Sequence, residues 1–401
     1  MATVIRTIGS AQDDGLITGL RVSTVGGAGP YDLTFNHAVN YMPAIGDTVE
    51  DASNDVYIVT GVTSATVVEV TDELGVGHAP ITGTCTVGRA YSSLSSAESS
   101  ISTDASAGDS LIWKGMNDGT LDDRVTINDT TLGATGQLTI TSPVGERHDG
   151  TAGTGFRINP STTGTVIDAT SAVNYNVVYE WLEITGFDAP SAGTTQNAIA
   201  DQATTGSATV RNCILHDNVA GDYFVRMINI TGRAATVRNC LMYGYTQTGS
   251  RDAIGVNAEV ASTIIEHCTI RSSGTGTIGI RETISSGTVT VRNCAVFDNA
   301  TNFSGTDFDG GNNATDSASA PGSSNQVSKT SANQFLRLVA GEEHFFLKRS
   351  ADCVDNGMDL TGTVDDDIRG QARPQDGGHD IGAFEYGPTS VGRLIGGALV
   401  G

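Results

Sequence analysis

"ATVRNCLMYGY", residues 235–245, is the stretch on which the fold turns. It recurs as "ATVRNCILHDN" at 208–218 and "TVTVRNCAVFDN" at 288–299, with a looser copy, "STIIEHCTIRSS", at 262–273. The cysteines Cys213, Cys240, Cys268 and Cys294 are thus 27, 28 and 26 residues apart. A steady period of this kind marks a solenoid, in which each repeat covers the face of its neighbour. Paired-helix repeats need ~33–47 residues, and alternation of Val, Ile and Thr favours strands over helices. A coil of three short strands and three turns fits.

Within one coil "TVRNC" reads strand, bend, strand. Val210, Val237, Ile265 and Val291 point inward, and Asn212, Asn239 and Asn293 take the left-handed bend that Asn tolerates best among non-glycine residues. Their side-chain amides are expected to stack and bond coil to coil, with His267 breaking the ladder. Each Cys then opens the next strand, facing inward. Another strand recurs about 14 residues earlier, at "NAIAD" (197–201), "FVRMI" (224–228), "AIGVN" (253–257) and "TIGIR" (277–281). There Ile199, Val225, Met227, Ile254, Val256, Ile278 and Ile280 are assigned to the core, and Asp201, Arg226, Asn257 and Arg281 to the outside.

Earlier segments without cysteine, from "SLIWKG" (110–115) to "VVYEWLEITGF" (177–187), keep the pattern. The expected architecture is all-β: a single-stranded parallel β-helix over 89–310, stacked at ~4.8 Å per coil into a rod of about 40 Å. Residues 1–88 alternate without the period and predict a small β barrel or sandwich module. Residues 304–333 read as a long polar loop or linker, and 311–401 are assigned to this polar loop and a C-terminal cap.

Composition agrees with a turn-rich β chain. Glycine makes up 50 of 401 residues and aromatics 6 %. Lys and Arg number 22 against 45 Asp and Glu, a formal charge of −23, which repels nucleic acid and anionic lipid alike. The amino terminus shows no basic stretch followed by an apolar core, so synthesis in a cytoplasm without a secretory signal is expected. "LIGGALVG" at 394–401 is far shorter than the ~20 residues a bilayer requires.

The tail "NNATDSASAPGSSNQ", "FFLKRSADCVDNGMDL" and "DDDIRGQARPQDGGHDIGAFEYG" resembles the ending of a broad group of right-handed parallel β-helix proteins, which close with D-I-x-G-x-x-R-P and D-I-G-A-x-E-Y. That group includes bacterial surface proteins and bacteriophage virion proteins. "MATVIRTIGS" and "RAYSSLSSAESSI" (89–101) look like two halves of an opening seen in phage-encoded members, with 11–88 inserted between them. The resemblance implies a virion β-helix. The expected role is a non-enzymatic capsid-decorating or tail fibre or spike component, a homotrimer touching other virion proteins and host-surface polysaccharide; the alternatives are a glycan-degrading tailspike, hydrolase or lyase, and a bacterial surface adhesin. In the signature, Asp366, Arg369, Arg373, Asp380 and Glu385 are expected to pair, with Gly382, Phe384 and Tyr386 folding over the last coil.

Chemistry is weighed against that architecture. None of the seven histidines sits at metal-site spacing to a cysteine, so the stacked thiols read as packing. A glycosidase needs two carboxyls ~5–10 Å apart. Asp217 and Asp298 are three coils apart, roughly 14 Å, which leaves Glu180, Glu183, Glu259 and Glu282 as the catalytic candidates. Tyr179, Trp181, Arg226 and Arg281 are the candidate glycan contacts. The acid run Asp365–Asp366–Asp367 offers Asp365 and Asp367 as candidate Ca²⁺ ligands; no other cofactor is expected.

Overall fold

The computed structural model describes residues 2–9, 17–18, 21–23, 31–34, 43–51, 56–64, 67–72, 84–187, 195–220, 224–247, 252–284, 286–375 and 377–387. The apolar stretch 394–401 and much of 11–88 lie outside these. The chain is a parallel β-helix built on three long parallel sheets of nine, eight and seven strands. Each coil visits them in that order, as in Ala208–Arg211, Ile214–His216 and Val225–Ile230.

The left-handed bend between the first and second sheets is where sequence and backbone meet. Asn212, Asn239, His267 and Asn293 have φ between 50° and 54°, and Trp181 takes the same corner at 58°. After it, Cys213, Cys240, Cys268 and Cys294 are fully buried free thiols stacked in the core. Backbone N–H groups of the corner residues bond coil to coil, Asn212 to the Arg238 carbonyl at 3.1 Å and Asn239 to that of Glu266 at 3.2 Å. The side-chain amides form only one rung of the expected ladder among the described residues, Asn293 Nδ2 to His267 Nε2 at 3.0 Å, through the residue expected to break it. They reach sideways, Asn212 Nδ2 to the Asp367 carbonyl (3.0 Å), Asn239 Nδ2 to that of Asp366 (2.8 Å) and Asn293 Nδ2 to that of Met358 (2.8 Å).

The arginine of the motif also has a place. One outer row of the first sheet runs Glu180, Arg211, Arg238, Glu266, Arg292. Arg211 pairs with Glu180, and Glu266 takes the Nε groups of Arg238 (2.6 Å) and Arg292 (2.9 Å). The looser copy "EHC" therefore inserts an acid where a further arginine would face two others.

In the third sheet Val225, Met227, Ile228, Val256 and Ile280 are in the core. Ile254, also fully buried, and the half-buried Ile278 share the row of Arg226. Asp201 is likewise not external. It is fully buried, chelated by Arg233 (Nε 2.9 Å, Nη2 2.7 Å) and bonded by the Tyr179 hydroxyl.

The amino-terminal module ends at Gly88 but does not begin at residue 1. Thr3–Ile8 is the first strand of the nine-stranded sheet, in register with Ser110–Gly115. The chain leaves that coil after Gly9 and rejoins it at Tyr91, whose N–H bonds Thr7 while Gly9 N–H bonds the Tyr91 carbonyl. The intervening module is, in its described residues, one antiparallel seven-stranded sheet. It is clamped to the solenoid by Arg89, which reaches Asp47 at 2.9 Å in the module and Asp118 at 2.8 Å in the coil. The helix Leu94–Ser99, begun by a Ser93–Ser96 capping box, and its continuation bury Leu94, Ala97 and Ile101 in the solenoid core. This is the lid of the amino-terminal end, which would otherwise expose apolar surface and unpaired strands.

The polar run 304–333 is not a linker. Phe308–Gly311 and Ala314–Thr315 continue two of the sheets, and Ser323 and Gln326 bridge beyond them. Nor does the C-terminal signature cover the last coil. After the hairpin Phe335–Arg337 and His344–Leu347, residues 351–387 run back along the flank. Phe335, Phe345, Leu347, Ile368, Ile381 and Phe384 bury the outer face of the second sheet, where Ile214, Leu241, Tyr243, Phe297 and Ala314 stand. That face is apolar on both sides, so it needs a second cover, and each large side chain removed from water there contributes about 1.5–3 kcal/mol.

Candidate functional site

The flank layer stops where the outer face of the second sheet turns polar. One outer row passes from Leu241 and Ile214 to Glu183 and Arg157, the other from Tyr243 to His216 and Thr185. At that edge lies a cleft of about 320 Å³, walled by 151–153 on one side and the hairpin turn 341–344 on the other. Glu183, Asp217, Glu342 and Glu343 face it together with Arg157, His216 and His344.

His216 is its centre. Nδ1 meets Asp217 at 2.8 Å and Nε2 meets Glu183 at 3.1 Å. The ring stacks on Tyr243 with centroids 5.1 Å apart and planes 9° from parallel. Burial opposes the charged ring, but hydrogen bonds to Asp217 and Glu183 outweigh it and carry the pKa up to about 9. Both nitrogens donate, leaving no lone pair to act as a base. Glu183 is fully buried, and its second oxygen accepts the Gly153 N–H at 2.6 Å. The bridge is carboxylate–imidazolium–carboxylate, suited to holding charge rather than to moving a proton. Asp217, its side chain 58 % exposed, is the part that meets solvent.

The other candidates disperse. Glu180 and Glu183 stand on different sheets with the Trp181 corner between them, and Glu180 is held by Arg211 at 2.6 Å. Glu282 accepts the backbone N–H groups of Ile284, Thr306 and Asp307 at 2.6, 3.0 and 3.0 Å. Glu259 accepts from Asn257 Nδ2 at 2.7 Å. No two of these four form a facing pair of uncommitted acids. Tyr179 is fully buried in the core, and Trp181, 5 % exposed, lies under the Arg147 guanidinium at 4.4 Å. Neither offers a face to a sugar. Arg226 and Arg281 do stand together, on the third sheet.

Within the flank layer Arg373 pairs with Glu385 and Arg369 with Asp367, both at 2.7 Å. Asp366 contributes its carbonyl to Arg373. Asp380 accepts the Asp355 and Tyr386 N–H groups; burial, reinforced by Glu385, pushes its pKa up to about 7. The Ca²⁺ candidates are already engaged: Asp365 accepts the Gly362 N–H, and Asp367 takes Arg369 and the N–H groups of Arg369, Gln371 and Glu385. Among the described residues no cluster of three or more His, Cys, Asp or Glu side chains is arranged to hold a metal, and no helix is long and apolar enough to cross a membrane.

Sequence reasoning missed His216–Asp217, Asp201–Arg233 and Arg89–Asp47. The first had a legible signal: "HDN" replaces the "YGY" and "FDN" of the sister copies, putting a titratable ring in an aromatic row. The other two join residues 32 and 42 positions apart and follow no repeat. No family model matches the chain, and no curated protein or solved structure matches it.

Proposed function

We propose that the chain is a non-enzymatic structural protein of a bacteriophage particle, a β-helix rod that decorates the capsid or forms part of a tail fibre or spike. One observation carries the non-enzymatic half. The acids the sequence offers for bond cleavage are spent on architecture: Glu180 on Arg211, Glu183 on His216 and Gly153, Glu282 on three backbone N–H groups. The phage half is supported by the resemblance of the ending and of the split opening. The inserted module, gripped through Arg89, Asp47 and Thr7, is the natural attachment to the particle. A homotrimer would cover Leu336 and Val339, which are 55 % and 56 % exposed on the hairpin.

The experiment has two arms. A chain lacking 11–88 but keeping Thr3–Ile8 should fold and fail to co-purify with particles; co-purification would remove the anchor. Purified full-length protein should leave host capsule and lipopolysaccharide intact. Depolymerisation abolished by Asp217→Asn would replace this reading with that of a glycan-degrading spike acting at the His216 cleft, whose exposed carboxylate is the one feature favouring it.

A further inference from the structure

On the outer face of the third sheet two arginines converge on one aromatic ring. The Cζ of Arg226 lies 5.5 Å from the Phe224 centroid and that of Arg281 6.0 Å from it. Both side chains are mostly buried, 14 % and 15 % exposed. Arg226 gives Nη1 to Asn229 Oδ1 at 2.9 Å, and Arg281 gives Nε to Asn257 Oδ1 at 2.8 Å. The two amides join through Asn257 Nδ2 and Asn229 Oδ1 at 2.7 Å, which fixes the spacing of the guanidiniums.

The donors outnumber their acceptors. Two guanidiniums carry ten N–H groups between them. Among the described residues, the acceptors besides the amide bonds are Asp252, 3.3 Å from Arg281, and Glu259, 4.0 Å from Arg226. Both acids are more than a third exposed, and the Nε of Arg226 is buried without a partner. Two partly desolvated like charges repel, and burial together with the charge of Arg281 lowers the Arg226 pKa. A bridging anion would relieve the repulsion and use the idle donors, since a guanidinium fork matches the oxygens of a carboxylate or sulfate. In a chain of charge −23 such a spot is selective, because the surrounding field rejects anions that lack a local clamp.

We propose that Arg226 and Arg281, held apart by Asn229 and Asn257 beside Phe224, form a binding site for a carboxylate or sulfate group of an acidic ligand. The site stands whether or not the chain belongs to a phage particle.

The test follows the arginine Nε–H resonances of the intact protein by NMR during titration with sodium sulfate, sodium acetate and a glucuronate tetrasaccharide, at constant ionic strength. Saturable shifts of Arg226 and Arg281 are expected. Affinity should fall tenfold or more in Arg226→Gln and in Arg281→Gln, the consequence of losing a charge-assisted bond. Glu259→Gln, which removes a competing anion and keeps an acceptor for Asn257, should bind about threefold tighter, the size of a partly exposed ion pair. Tighter binding of the tetrasaccharide than of acetate identifies an acid sugar as the source; equal or better binding of sulfate identifies a small oxyanion. No saturable shift with any of the three, or affinities unchanged in both arginine variants, overturns the proposal. Because Glu259→Gln leaves the arginines in place, unchanged affinity in that folded variant counts against it even if the arginine variants do not fold.

Discussion

Replacing Glu266 by Gln should loosen the middle of the rod. Its carboxylate is fully buried and takes the Nε of Arg238 at 2.6 Å together with the Nε and Nη2 of Arg292 at 2.9 and 2.8 Å. Breaking a fully buried ion pair from one side costs about 3–5 kcal/mol, because the partner charge is left behind. The arginine side chains here are 22 % and 24 % exposed, so water recovers part of that. Gln also keeps one acceptor oxygen. About 2–3 kcal/mol is therefore expected, a drop of roughly 4–12 °C in the melting midpoint at ~2–4 °C per kcal/mol. Solenoid stability is a sum of neighbouring repeats, so the effect should be local. Amide hydrogen exchange should accelerate about 30- to 160-fold in the coils spanning 235–297 and change little before residue 160. The charge origin has its own control: Arg238→Met, Glu266→Met and Arg292→Met together should be less damaging than Glu266→Gln alone, since no unpaired charge remains. A change below about 0.5 kcal/mol in Glu266→Gln, or a triple variant worse than the single one, would refute the reasoning.

Three further outcomes are expected. His216 should titrate near pH 9 by NMR, and Asp217→Asn should lower that value. As its folded pKa exceeds the unfolded value of about 6.5, the bridge stabilises the fold fully below that pH. This contribution, roughly 3 kcal/mol, declines as pH rises and is gone above about 9, so a pH–stability curve rising across that window would contradict it. Arg233→Met should cost about 3–5 kcal/mol by stranding buried Asp201, checked by chemical denaturation against Asp201→Asn with Arg233→Met, which should recover part of the loss. Cys213, Cys240, Cys268, Cys294 and Cys353 should resist a thiol reagent in the native state and react on unfolding; rapid native labelling of any would mean the core there is not closed.

The coil was legible because its physics is local and repeated. A β strand alternates its faces, a left-handed corner selects Asn, and a stack of identical coils copies both choices every turn, so Val237, Asn239 and Cys240 can be placed from spacing alone. The same locality misled where one coil differs from its neighbours in partner rather than in pattern. Asp201 and Arg226 occupy comparable strands, yet Arg233 draws the first into a buried pair while the second stays on the outer face. Glu183 stood out as a candidate acid but not as the neighbour of His216, because the two meet only when successive coils stack.

The chain's own order of residues determines the period, the corners, the inward thiols and a flank that is apolar on its outer side at Leu241 and Phe297 as well as within. Only the tertiary structure decides what that outer side meets. A terminal segment can close a rod at its end or along its length, and no local propensity separates the two. The second wins because the second sheet carries a long apolar outer surface and a line of Asn amides awaiting acceptors, which residues 351–387 supply through Met358, Asp366 and Asp367. The cleft at His216 exists for the same reason: it is the place where that cover runs out.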